Sequence, residues 1–158
     1  MRYFLKILVL LSWACWLGGM ILLYVTIQEI NREFPDRLIF GRIGGAMFGV
    51  FMRFQLVVGA LACVSSMGLL ILENRRSKQV LFFIFALAMA GALGTVPITK
   101  KIDAMRVMQQ TTTPEFKATH KKSGMIFAGQ QLLLLMASCL MPAVARREDQ
   151  PLKTSGSA

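Results

Sequence analysis

The sequence predicts an all-α membrane protein, a four-transmembrane-helix bundle with interfacial helical extensions on its two long connections. Two observations carry that prediction. Of the 158 residues, 55% are apolar and only 16% charged, a balance foreign to ordinary soluble domains. The apolar residues are also gathered into four runs, Ile7 to Gln28, Phe54 to Leu72, Gln79 to Thr99 and Ser123 to Ala145, none of which holds an Asp, Glu, Lys, Arg or His. At a rise of about 1.5 Å per residue, each run as a helix reaches the roughly 30 Å of a hydrocarbon core. Strands of that length would leave open edges in lipid, so helices are the reading.

The first run follows the basic residues Arg2 and Lys6, as a secretory signal would. It is longer than a signal's apolar core, it carries Trp13 and Trp16, and no small-x-small site closes it, which favours a span. The span extends as helix past Glu29 to Phe34, because Pro35 disfavours helix at the residue before it. A second helix starts near Asp36; its partly polar beginning, up to Arg53, belongs at the interface, and the rest forms span two. Glu73 to Lys78 makes a short turn that sets spans two and three antiparallel. Span three ends at Pro97, and beyond it Ile98, Ile102 and Met105 recur at helical spacing among Lys100, Lys101, Asp103 and Arg106, an amphipathic extension. Thr111 to Thr113 break it. Thr113, Pro114 and Glu115 then read as an N-cap, a first-position proline and a first-turn acid. The last helix is expected to run through span four to about Arg146. One membrane domain, 1–146, with spans at about 7–30, 50–73, 79–98 and 122–145, is thus followed by a polar tail, 147–158, expected to be disordered.

The eighteen Lys and Arg give a formal net charge of +10, which in a soluble protein would suggest nucleic acid. Here they sit beside or between the spans, so anionic lipid headgroups are the expected partner and nucleic acid is not. Cations are densest close to the span ends at the termini and the short turn, which places both termini in the cytoplasm, in a bacterial plasma (inner) membrane. Cys15, Cys63 and Cys139 fall in three different spans and read as small apolar fillers. A faint internal echo, Gly45-Ala46-Met47-Phe48 against Gly124-Met125-Ile126-Phe127, is too loose to establish a repeat.

Gly41, Gly45 and Gly49 fall four apart on a face whose next member is Arg53; Ala86, Ala90 and Gly94 make a second small ridge, and Gly124 with Ala128 a third. Small ridges let helices approach closely in lipid, so packing is their first reading, with a second copy of the chain or a larger membrane complex as the partner they would take. Alternating helix directions put Gln28 and Glu29, Arg53, Lys100 and Asp103, and His120 at one membrane face. Ionisable groups at such depth are costly unless paired, which makes Glu29, Arg53, Asp103, Arg106 and His120 the candidate site; interfacial anchoring by snorkelling is the plain alternative. The single histidine, His120, excludes a bis-histidine haem, and no Cys/His spacing suits zinc. Eleven methionines would suit a soft metal but are dispersed, as bundle filling requires. No metal or other cofactor is expected. Gln130 and Gln131 are the deepest polar pair, and one of them must face a neighbouring helix. No nucleophile elbow, phosphate loop or dinucleotide fingerprint occurs, so no enzymatic role is expected.

Trp16-Leu17-Gly18-Gly19, the glycine-bearing segment Gly41 to Arg53, the run Pro97 to Arg106, and Phe116 to His120 leading into span four resemble the transmembrane-protein-205-like family, small four-helix membrane proteins built on a domain of unknown function. The resemblance covers about Leu5 to Ala145. It implies a four-helix bundle and marks Arg53, Asp103, Arg106 and His120 as matching positions, but it brings no reaction with it. Lys121 and Lys122 depart from the small or apolar residues the family pattern would place after His120. The expected function is the handling or sensing of a small solute or ion through the polar face; the alternative is a structural or accessory subunit of a larger membrane complex.

Overall fold

The computed structural model describes residues 1–34 and 36–145, so the expected polar tail at 147–158 lies outside the described residues. Five helices follow in order: α1 (Arg2–Glu33), α2 (Arg37–Glu73), α3 (Arg76–Val107), α4 (Pro114–Ser138) and α5 (Met141–Ala145). No strand occurs among the described residues.

The helix boundaries follow from local chemistry. α1 stops at Phe34, whose N–H closes on Ile30 O at 2.9 Å, as the following proline requires. The α2 to α3 turn is only Asn74 and Arg75; Asn74 adopts a φ of 38°, the left-handed conformation that asparagine tolerates at a helix end. Pro97 lies inside α3 without ending it. The Thr113 hydroxyl accepts the Phe116 N–H at 3.2 Å, with Pro114 in the first turn, so the predicted N-cap forms.

Three helices, α1, α2 from Ile39, and α3, are long and apolar enough to cross a membrane; α4 is not. That corrects the expectation of an unbroken fourth helix to Arg146, and the cause is Pro142. It has no N–H to give to the Ser138 carbonyl. The chain tightens instead, with Cys139 N bonding Met136 O and Leu140 N bonding Ala137 O, and α5 restarts at Met141. What remains of α4 beyond Lys122 is shortened and carries Gln130 and Gln131.

Sequential helices pack as neighbours, and α4 and α5 close back onto α1. The centre holds Trp16, Met20, Leu69, Phe85 and Leu134, all with no exposure. Two polar side chains tie α4 in: Trp13 Nε1 donates to Leu134 O at 3.0 Å, and Gln130 Nε2 donates to Ala88 O at 2.9 Å. Gln130 is thus the amide that faces a neighbour. Only a third of the most apolar window of each long helix is buried inside the chain. Leu22, Val57, Val64, Ile71, Phe83 and Leu87 all point outward. An apolar exterior of this extent belongs in lipid.

Apart from Gly45, against which Arg106 lies, the close helix approaches at glycine occur outside the predicted ridges. A Cβ on Gly59 would stand 2.8 Å from the Trp16 ring and 2.9 Å from Met89 Sδ, and one on Gly91 3.1 Å from Gln130. At Gly41, Gly49, Gly94 and Gly124 an added Cβ meets nothing within 4 Å, so these positions bring no two helices of this chain together. Gly59→Leu should therefore destabilise the fold by about 1–3 kcal/mol, while Gly18→Leu, on an open outer face, should change it by less than about 0.5 kcal/mol. Unfolding in mixed micelles checks this; equal effects of the two substitutions would contradict the packing described.

Candidate functional site

At the end of the bundle where α1 finishes, α2 begins, α3 finishes and α4 begins, the four helices leave a cavity of about 140 Å³. Its walls come from Ile27 of α1, Phe40, Gly41, Gly44, Gly45 and Phe48 of α2, Thr99, Ile102 and Arg106 of α3, and His120 and Ser123 of α4. The glycines create the space. Gly41 and Gly44 present bare backbone with nothing near their missing Cβ. A Cβ on Gly45 would collide with the Arg106 guanidinium, so the absence of a side chain there lets Arg106 lie across α2.

Arg106 Nη1 is held by Asp103 Oδ1, one turn earlier, at 3.2 Å. Five guanidinium donors leave capacity beyond that pair. Thr99 is already used, its hydroxyl donating to Thr95 O at 3.0 Å. Ser123 is 6% exposed, but its hydroxyl is not one of the fully buried polar atoms that lack a partner, which among the described residues are Trp16 Nε1, Gln55 Oε1 and Gln130 Oε1. His120 stacks in parallel on Phe116, with ring centroids 5.9 Å apart, and lines the cavity. Lys101 of α3 bonds Glu115 of α4 at 2.7 Å, joining these two helices outside the cavity.

The residues singled out from sequence are partly brought together. Arg106 and His120 line the cavity; Arg53, Asp103 and Arg106 line an adjoining open groove with Gly41, Gly45 and Gly49. Glu29 lines neither, being exposed and paired with Arg32 at 3.4 Å. Gly124 lies on the outer face, next to Ser123 in sequence. Sequence reasoning missed Ser123, Gly44 and the two phenylalanines Phe40 and Phe48. Ser123 had a signal, since it stands three residues after His120 and so on the same helix face; Gly44 had one in the Gly41, Gly44, Gly45 spacing.

The opposite end holds a second polar cluster of a different kind. Glu73 lies 3.5 Å from Lys78 and 3.8 Å from Lys6, with Glu73 and Lys78 side chains only 4% and 3% exposed. Lys78 also donates to Ala143 O of α5 at 3.4 Å. Ions this deep offset each other's desolvation, and removing one leaves an uncompensated charge; the cluster therefore joins α1, α2, α3 and α5. No three His, Cys, Asp or Glu side chains among the described residues converge as a metal site would need. Comparison with protein-family models, curated proteins and solved structures gave no match.

Partial burial, and secondarily the positive charge of Arg106, push the His120 pKa below its ordinary 6.5. The folded state thus favours neutral imidazole, and its contribution to stability is present above pH 6.5 and lost as pH falls through the lowered value. The melting temperature should fall between about pH 7 and about pH 5, and His120→Gln should flatten that fall. A profile unchanged by the substitution would contradict the environment described.

Proposed function

We propose that this chain crosses a bacterial plasma membrane four times, termini in the cytoplasm, and holds a small solute or ion in the cavity lined by Arg106, His120 and Ser123. The observation that carries the reading is the cavity itself: four helices converge there, yet α2 contributes Gly41 and Gly44 where larger side chains would have filled the space. An interface built only for anchoring has no use for such a void, which forfeits packing contacts. Polar groups on its walls, foremost the Arg106 guanidinium with donors beyond its pair to Asp103, are what a bound molecule would satisfy. For the fourth crossing, α5 extends the apolar part of α4, whose first turns are polar. The resemblance to the transmembrane-protein-205-like family supports the same four-helix arrangement.

A second reading, a structural or accessory subunit, draws on the glycines that pack against nothing in the chain, Gly18, Gly49, Gly94, Gly124 and Gly129. These bare patches would admit helices of a second copy or of a larger membrane complex.

Gly44→Leu separates the cavity from the fold, because a side chain there enters open space. The purified chain is screened for thermal stabilisation by small anions, cations and neutral solutes. The reading predicts at least one solute that raises the melting temperature of the wild type but not of Gly44→Leu, with the variant's own melting temperature unchanged or higher. A panel in which no stabilisation depends on Gly44 would contradict it.

A further inference from the structure

We propose that the cavity takes a small organic monoanion, a carboxylate with a short apolar body of the size of butyrate. This rests on the cavity being a ligand site, and it goes further by assigning the chemical class.

Size comes first. A space of about 140 Å³ matches the roughly 150 Å³ void that admits benzene, which limits the guest to about six heavy atoms. Wall chemistry comes second. Ile27, Phe40, Phe48 and Ile102 surround most of the space and the three α2 glycines offer backbone hydrogens, so the body of the guest is apolar. A strongly hydrated guest such as phosphate would lose most of its hydration against these walls and recover little.

Charge comes third. Among the described residues no Asp or Glu side chain lines the cavity; Asp103 lies in the outer groove, paired to the guanidinium. A cation would meet Arg106 with no carboxylate to receive it. A single guanidinium, already shared with Asp103, cannot balance a dianion. A monocarboxylate is what remains, and Arg106 suits it through the paired N–H geometry that matches two carboxylate oxygens. The Ser123 hydroxyl, on the cavity wall, is the second donor and can give its proton to a carboxylate oxygen. The same wall carries Phe40 and Phe48, which suit the apolar chain of the guest.

The test is calorimetric titration of the full-length protein in detergent, near neutral pH, with sodium butyrate, butyramide, butylammonium chloride and sodium phosphate as separate probes. Butyrate should bind at least about tenfold more tightly than butyramide, and the ammonium and phosphate should not bind. Arg106→Gln should bring butyrate down to the level of the amide, and Ser123→Ala should weaken it about threefold to tenfold. Gly45→Ala serves as the second variant, because it displaces the guanidinium while keeping the arginine in the chain. Octanoate separates a free small acid from a lipid-derived fatty acid: it should bind no better than butyrate. Equal binding of acid and amide, butyrate binding indifferent to Arg106 and Gly45, or affinity that climbs with chain length would each overturn the assignment. Should butyrate fail while another solute still gives a Gly44-dependent stabilisation, the class falls and the cavity reading stands. Should both fail, both fall.

Discussion

Lipid hydrogen-bonds to nothing in the backbone, and the exterior of α1, α2 and α3 is built for that solvent. Every amide inside the hydrocarbon must close on its own helix, which is why the chain spends its length on helices of 32, 37 and 32 residues and confines its joints to the ends. In such a solvent apolar burial does not drive helices together. Packing and a few polar contacts do: Trp16 and Met89 against Gly59, Gln130 against Gly91 and Ala88, Trp13 against Leu134. The same constraint explains how the charges are disposed. They occupy the two ends, and those that lie deep, Glu73 and Lys78, are held by each other.

The two ends resolve this constraint in opposite ways. At the short-turn end, Glu73 lies between Lys6 and Lys78, with α5 supplying a carbonyl to Lys78, and the arrangement joins helices. At the other end, glycine replaces bulk on α2, the Arg106 side chain lies against Gly45, and Ser123 and His120 join the cavity wall. The Arg106 guanidinium is paired from outside the cavity by Asp103. The two ends thus differ in kind: one holds a buried ion cluster that joins helices, the other a cavity with polar groups on its wall.

Much of this was legible in the residues. Uncharged run length gave the helices, Pro35 and Thr113 gave two boundaries, and alternating helix direction put Asp103 and His120 at the same level. Spacing could not say which way each glycine faces: the Gly41, Gly45, Gly49 ridge looked like a helix contact, but Gly45 seats an arginine and the other two stand open. Glu73 and Lys78 read only as members of a short turn, because burial at a turn depends on how α1 and α5 close over it, and sequence distance hides that. The break at Cys139 and Leu140 was readable from Pro142 and was missed, since an uncharged run suggests continuity whether or not its backbone can continue.

The proposed fourth crossing is the step to test, because α4, 25 residues long, is not among the helices long and apolar enough to span. Single cysteines at Asn74, Gln110 and Ala158, in a chain whose Cys15, Cys63 and Cys139 are replaced by serine, can be labelled with a membrane-impermeant maleimide in sealed vesicles of known orientation. Four crossings predict that Asn74→Cys and Ala158→Cys react from one side and Gln110→Cys from the other. Labelling of Ala158→Cys from the Gln110 side would mean three crossings, and the cavity as described would then lie outside a membrane-spanning bundle.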